Sequence, residues 1–217
     1  MLLVFDFDGT LMDTLRDLAE AASDLSEAYR GTRLTDDEAA AMIGEGASIF
    51  VARILGRAGI SPPPAEALPR YLAFYQARVL DHTAPYPGVP EMLRDLAPHH
   101  RFALLTNKPE IPTRTLLRHT GLGGYFEEGV FGDGVLPRKP DPAGLQWLMT
   151  RAGTGPRETL MVGDSVMDVE AARNAGVRLC VARYGFGFAR IPPDLLGQDD
   201  WVIDAPAELV PRLGAPT

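Results

Sequence analysis

Short apolar runs at Leu2–Phe5, Phe102–Thr106, Thr159–Val162 and Arg178–Ala182 constrain this chain more than anything else in it. A run without polar alternation must be covered on both faces, which is the condition of a strand inside a parallel sheet. Helical patterns lie between them, at Thr113–His119, Ala143–Ala152 and Val166–Ala175, the last followed by Gly176 where a helix stops. Val130–Phe131 and Trp201–Ile203 read as two further short strands. Strands alternating with helices of this kind specify an α/β fold, a Rossmann-like parallel sheet core.

One stretch breaks the alternation. From Leu15 to His82 no run has strand character. Asp13–Tyr29 carries Leu15, Leu18, Ala22 and Leu25 at helical spacing. Thr35-Asp-Asp-Glu38 has the form of a capping box ahead of a further helix. Ser48–Arg57 and Glu66–Val79 continue in helical register, separated by Pro62-Pro-Pro64. The expected division is therefore an α/β core of residues 1–14 and 83–217 with an all-helical insert of residues 15–82.

In a parallel sheet, ligands gather beyond the carboxyl ends of the strands. Asp6 and Asp8 follow the first run, Thr106-Asn107-Lys108 the second, and Gly163-Asp-Ser165 the third. Asp168 stands one helical turn after Asp164, and Lys139 lies in the Pro-rich loop Leu136–Pro142. Carboxylates meeting at one edge repel unless a cation joins them. An all-oxygen set suits Mg²⁺, which binds through a few carboxylates and substrate phosphate, and does not suit zinc. In such a site Asp6 can attack phosphorus. Asp8 can protonate the leaving oxygen and then activate water. Thr106, Asn107, Lys139 and the backbone around Gly9 can hold phosphoryl oxygens.

The other classes are narrowed by composition. A formal charge of −8 argues against nucleic acid, whose phosphates need a basic surface. No apolar window reaches the roughly 20 residues of a membrane span, and Asp6 and Asp8 interrupt the first apolar run, so a cytoplasmic protein acting on a small molecule is expected, as a monomer or homodimer. The lone Cys180 sits in an apolar run and reads as a small buried hydrophobe. Trp147 and Trp201 are expected in the core. Lys108 reads as a solvated residue at a helix start.

Asp6-Phe-Asp-Gly-Thr-Leu11, Thr106-Asn107, Lys139-Pro-Asp-Pro142 and Gly163-Asp-Ser-Val-Met-Asp168 resemble, in order, the four motifs of the haloacid dehalogenase (HAD) superfamily. The resemblance implies Asp6 as nucleophile, Asp8 as acid/base, and Mg²⁺ between the Asp6 side chain, the Asp8 carbonyl and Asp164. Asp168 would act behind the metal or through water. The insert would be a helical cap that closes over substrate and sets specificity. Among members, a dehalogenase lacks the second aspartate, a phosphonatase needs a cap lysine that residues 1–107 do not contain, and a P-type ATPase needs membrane spans.

A phosphatase or a sugar phosphomutase remains. Ile43–Leu55, Pro87-Gly-Val, Gly132-Asp-Gly and Lys139–Pro142 resemble phosphoglycolate phosphatases, which implies 2-phosphoglycolate as substrate. The alternatives are a β-phosphoglucomutase-like enzyme, a phosphatase for another small metabolite (a sugar phosphate, nucleotide or pyrophosphate), and a phosphoester-binding protein without turnover. Glu45, Gly46 and Arg53 are the cap candidates for substrate. Arg53 could meet a carboxylate bidentately or be a solvated helix arginine. Tyr184–Phe188 and the tail after Asp204 carry no functional reading.

Overall fold

The computed structural model describes residues 1–214. Its strands are β1 (Leu2–Phe5), β2 (Met12–Asp13), β3 (Ala84–Pro85), β4 (Arg101–Leu105), β5 (Phe126–Val130), β6 (Thr159–Gly163), β7 (Arg178–Ala182) and β8 (Trp201–Ile203). Its α-helices are α1 (Leu15–Ala28), α2 (Asp36–Ala40), α3 (Ala47–Arg57), α4 (Ala67–Arg78), α5 (Val89–Leu96), α6 (Glu110–Thr120), α7 (Ala143–Ala152), α8 (Val166–Ala175) and α9 (Leu209–Leu213). Six strands form one sheet in the order β5-β4-β1-β6-β7-β8, and every pairing in it is parallel.

The apolar runs lie at the centre because each strand feeds two cores. Leu3, Phe5, Phe102, Leu104, Leu160, Val162 and Cys180 face one core, which also takes Met92, Leu93 and Leu96 of α5 and Leu116 and Leu117 of α6. Leu2, Val4, Ala103, Leu105, Met161, Leu179 and Val181 face the other, against Leu145 and Leu148 of α7 and Val169 of α8. This is the doubly wound arrangement expected from the sequence. Starting at β1, the chain runs out to β4 and β5 on one side and returns to β6, β7 and β8 on the other. The carboxyl ends of β4, β1 and β6 thus lie side by side at the switch point of the sheet, where α/β proteins bind ligands.

Several local expectations need correction. The helix expected from Asp13 starts at Leu15, because Met12 and Asp13 pair antiparallel with Pro85 and Ala84; a two-residue strand shows no alternation to read. The strand expected at Val130–Phe131 spans Phe126–Val130. It is an edge strand, where Glu127 and Glu128 can face water and pair with Arg101 and Arg151. Helix α5 is not among the expected elements; it starts after Gly88 at φ +90 and carries Pro90 in its first turn. Trp147 is exposed, with the Arg151 guanidinium against its ring, and Trp201 is half-buried beside Arg178.

The strand-free stretch holds α1 to α4 and packs onto the first core through Leu18, Leu25, Phe50, Ile54 and Tyr71. The Thr35 capping box forms as expected: its hydroxyl accepts from Glu38 N at 3.2 Å, and Glu38 Oε2 accepts from Thr35 N at 2.9 Å. The stretch is tied back at its far end by Asp17, a wholly buried carboxylate on α1. Asp17 accepts from His82 N, from Thr83 N at 2.9 Å and from Thr83 Oγ1 at 2.7 Å, with His82 Nδ1 also 2.9 Å away. Burial alone would raise its pKa. The donors from Thr83 and His82 outweigh that and hold it below 3.8.

A group with a lowered folded pKa contributes stability above its unfolded value and loses it as pH falls through the folded one. Asp17→Ala should therefore cost about 3 kcal/mol at pH 7, since it strands several buried donors. In urea titrations the gap to wild type should close as pH drops below 3.8. A gap that stays constant from pH 7 to pH 3 would contradict this assignment.

Candidate active site

The β1 ladder continues one residue past the strand, with Asp6 N donating to Val162 O at 2.9 Å. The chain then curls tightly. Phe7 O accepts from both Leu11 N and Met12 N at 3.0 Å, and Gly9 N reaches Met12 O at 2.9 Å. Gly9 has φ +82, and a Cβ there would collide with the Asp164 carboxylate. Glycine at this position is thus a condition for the ends of β1 and β6 to meet.

Asp6, Asp164 and Asp168 converge there. One oxygen of each lies within 4.8 Å of the others, and all three residues are buried. Asp164 is held by Thr10 Oγ1 at 3.0 Å and by Gly187 N at 2.7 Å. Asp168 Oδ2 accepts from Ser165 Oγ at 2.6 Å and Ser165 N at 2.9 Å, and its Oδ1 accepts from Lys139 Nζ at 2.6 Å. Lys139 Nζ also lies 2.8 Å from Asp6 Oδ1 as an ion pair, and among the described residues no hydrogen bond of good angle reaches this buried oxygen.

Three carboxylates sharing one ammonium leave a surplus of negative charge, which low-dielectric surroundings make costly. The protein's own charges register it. Burial, and then the Asp168 charge, push the Asp6 carboxyl up to about 7 against the pull of Lys139. Asp164 is raised well above 3.8 by burial and by Asp168 and Asp6. Burial works against the Lys139 charge, yet Asp168 and Asp6 outweigh it and raise its pKa. A surplus of buried negative charge and an all-oxygen donor set fit a hard divalent cation held by Asp6 and Asp164.

Asp8 lies outside this triad. Its Oδ1 accepts from Thr14 Oγ1 at 2.7 Å and from Lys108 Nζ at 2.8 Å. Among the described residues nothing is bonded to Oδ2. Lys108, expected in solvent, is buried: its ammonium also donates to Tyr75 Oη of α4 at 2.7 Å. No local signal could have shown this, because both partners come from distant parts of the chain. Burial raises the Tyr75 phenol well above its ordinary value, so it stays neutral and accepts.

The phosphate-site candidates divide. Thr106 is buried at the end of β4 beside the cleft, and its hydroxyl accepts from Lys108 N at 3.2 Å. The Asn107 side chain is a strut. It donates to Lys139 O at 3.0 Å and to Gly44 O at 2.8 Å, and accepts from Lys139 N at 2.9 Å. It thereby fixes the lysine loop and joins it to the helical stretch. Of the cap candidates, Gly46 borders the cleft. Arg53 and Glu45 do not border it; they pair with each other, and Arg53 also donates to Met42 O at 3.0 Å.

The cleft lies between the strand ends and the helical stretch and encloses about 670 Å³ out to its mouth. Leu18, Ile43, Phe50, Tyr71 and Leu72 make its apolar side. Phe186, Gly187 and Arg190 close another side, so the glycine-rich segment that carried no reading belongs to the site. Gly185 follows β7 at the ligand edge of the sheet, and a Cβ there would strike Gly9 O and Asp164.

A family model described as haloacid dehalogenase-like hydrolase matches residues 3–182. The chain is 34% identical over 216 residues to a phosphoglycolate phosphatase of Vibrio vulnificus, covering 96% of this chain and 94% of that protein. It is 38% identical over 232 residues to one of Rhodospirillum rubrum, with 98% and 95% covered. The crystal structure of a predicted phosphoglycolate phosphatase from Haemophilus somnus superposes with a TM-score of 0.89 at 28% identity, covering 98% of this chain and 97% of that one.

Proposed function

We propose that this chain, which belongs to the haloacid dehalogenase-like hydrolase family, removes phosphate from 2-phosphoglycolate through a phosphorylated Asp6. That it is a phosphoric monoester hydrolase follows from the family and its curated relatives. The substrate is inferred from the names of those relatives. The observation that carries the chemistry is Asp6 Oδ1, a buried carboxylate oxygen without a hydrogen bond, at the foot of the cleft beside Lys139 and Asp164.

The Lys139 ammonium, 2.8 Å from Asp6 Oδ1, stands where water would and fixes where this oxygen points, and a carboxylate without its hydration shell is the better nucleophile. Asp6 attacks phosphorus, and the bond from phosphorus to the alcohol oxygen breaks. Asp8 Oδ2 lies free while Thr14 and Lys108 hold Oδ1, so this oxygen delivers the proton to the leaving alkoxide. The same oxygen then takes a proton from the water that opens the phosphoaspartate. The Thr106 hydroxyl holds a phosphoryl oxygen; the N–H groups of Gly9, Leu11 and Met12, expected to share this role, are taken by Met12 O and Phe7 O within the loop. Mg²⁺, held by Asp6 and Asp164 with the Asp8 carbonyl and with Asp168 behind them, would neutralise phosphoryl charge. Residues 15–82 act as a cap over a core of residues 1–14 and 83–217. Asn107 bonded to Gly44 and Lys108 bonded to Tyr75 connect the two across the cleft.

Asp8→Asn should lower turnover of 2-phosphoglycolate by roughly 10²–10⁴. It should spare the burst of nitrophenol from p-nitrophenyl phosphate, whose leaving group needs no proton. Loss of that burst as well would assign Asp8 to the attack step instead.

Phosphate release from 2-phosphoglycolate, sugar phosphates, nucleoside monophosphates and pyrophosphate, with Mg²⁺ or EDTA, tests the reading. A clear preference for 2-phosphoglycolate that EDTA abolishes supports it. Preference for another ester overturns the substrate and keeps the mechanism. Transfer between glucose 1- and 6-phosphates would indicate a mutase, and binding of esters with Mg²⁺ but no release would indicate loss of turnover.

A further inference from the structure

The cleft is bordered by Asp6, Asp8 and Asp164 and by two cations, Lys108 and Arg190, with Lys139 buried beneath. Lys139 is taken by Asp6 and Asp168. Lys108 is taken by Asp8 and Tyr75. Arg53 is turned to Glu45. Among the described residues, the Arg190 guanidinium has neither an ion pair nor a hydrogen bond, although the side chain is half-buried. A partly desolvated guanidinium without an anion leaves five donors unused, and burial lowers its pKa, offset only by the Asp164 charge.

Its placement is built into the fold. Arg190 N donates to Gly187 O at 3.1 Å, and Gly187 N donates to Asp164 Oδ2 at 2.7 Å. The turn that fixes Asp164 therefore fixes Arg190 too. A residue serving only to shield Asp164 would pair with it, but no guanidinium nitrogen of Arg190 comes within 4.0 Å of any carboxylate of the described residues. The adjacent wall, Phe186, is apolar. This corner suits a short carbon chain that ends in an anion.

We propose that Arg190 is a specificity residue that receives the carboxylate of the substrate, as the second anchor of a small ester with phosphate at one end and carboxylate at the other. This rests on the reading of the site as a phosphatase for 2-phosphoglycolate, and gives that substrate class a partner from the core, outside the helical cap. The planar fork matches a carboxylate through two parallel hydrogen bonds, which an ammonium cannot supply.

The test compares 2-phosphoglycolate with ethyl phosphate, the same two-carbon ester without the carboxylate, for wild type, Arg190→Met and Arg190→Lys. Melting temperature and inhibition by inorganic phosphate are read alongside. Arg190→Met should lower kcat/KM for 2-phosphoglycolate roughly 100-fold and for ethyl phosphate less than about 3-fold. Inhibition by phosphate should not change. Arg190→Lys keeps charge and stem, so it remains folded, and should lose roughly 10-fold on the carboxylated ester alone. If wild type prefers 2-phosphoglycolate and both variants keep that preference, Arg190 is not the anchor while the substrate reading stands. An equal loss on both esters, or weaker phosphate inhibition, would place Arg190 in the phosphoryl machinery and overturn the proposal. If wild type does not distinguish the two esters, the substrate reading fails, and this proposal fails with it.

Discussion

Asp6→Asn should abolish phosphate release, a loss of at least roughly 10⁴-fold, while the protein folds as well as wild type or better. The two halves of this result have one cause. Asp6 Oδ1 is buried without a hydrogen bond, and burial with the Asp168 charge pushes its carboxyl up to about 7. Even with Lys139 beside it, an ionised Asp6 is therefore a cost to the fold in the absence of a metal ion. Asparagine removes that cost at nearly the same volume, and with it the proposed nucleophile and one oxygen of the buried triad. In EDTA at pH 8 the variant should melt no lower than wild type. It should also fail to give an acid-stable phosphoprotein when quenched during turnover, whereas wild type should give one. Activity within tenfold of wild type would rule Asp6 out as nucleophile. A melting temperature well below wild type would mean that its charge supports the fold.

How legible the site was depends on how far apart its parts lie in the chain. Asp6, Thr106 and Asp164 were readable because each follows an apolar run, and parallel pairing of β1 with β4 and β6 brings those ends together. Lys139 was readable from its motif, although the reason it is buried, two carboxylates from other strand ends, is not local. Lys108 was not readable. A lysine after a strand is ordinarily solvated, and only Tyr75 on α4 and Asp8 on the first loop bury it. The same applies to Asp17, whose donors come from residues 82 and 83. Arg53 shows the converse. Its local context suited a carboxylate receptor, but the turn before α3 brings Glu45 to it. The loop bearing Gly185, Gly187 and Arg190 has no charge pattern that marks it. Its glycines acquire meaning once β7 is placed next to β6 and the loop lies over Asp164.

Lys139→Met should produce the largest change in stability, and one that a cation reverses. Among the described residues the ammonium is the only positive charge within contact of Asp6 and Asp168. Removing one partner of a buried ion pair costs roughly 3–5 kcal/mol, and here it leaves three buried carboxylates together. In EDTA the variant should lose about that much stability at neutral pH. Raised carboxyl pKa values set the sign of the pH dependence. For Asp6 the contribution is fully present below the unfolded value of 3.8 and is lost as pH rises through about 7. Asp164, also raised, acts in the same direction. The metal-free variant should thus melt higher at pH 5 than at pH 8, more steeply than wild type, because Lys139 no longer pulls the Asp6 value down. This window is separate from that of Asp17, whose contribution is lost only below 3.8 and with the opposite sign. Mg²⁺ replaces the missing charge, so it should raise the melting temperature of the variant more than that of wild type; about 2.7 kcal/mol is available at a hundredfold excess over Kd. Turnover should stay absent, since nothing else holds Asp6 in line. Equal melting temperatures in EDTA, or a flat profile between pH 5 and pH 8, would show that the buried charges are balanced by something other than Lys139.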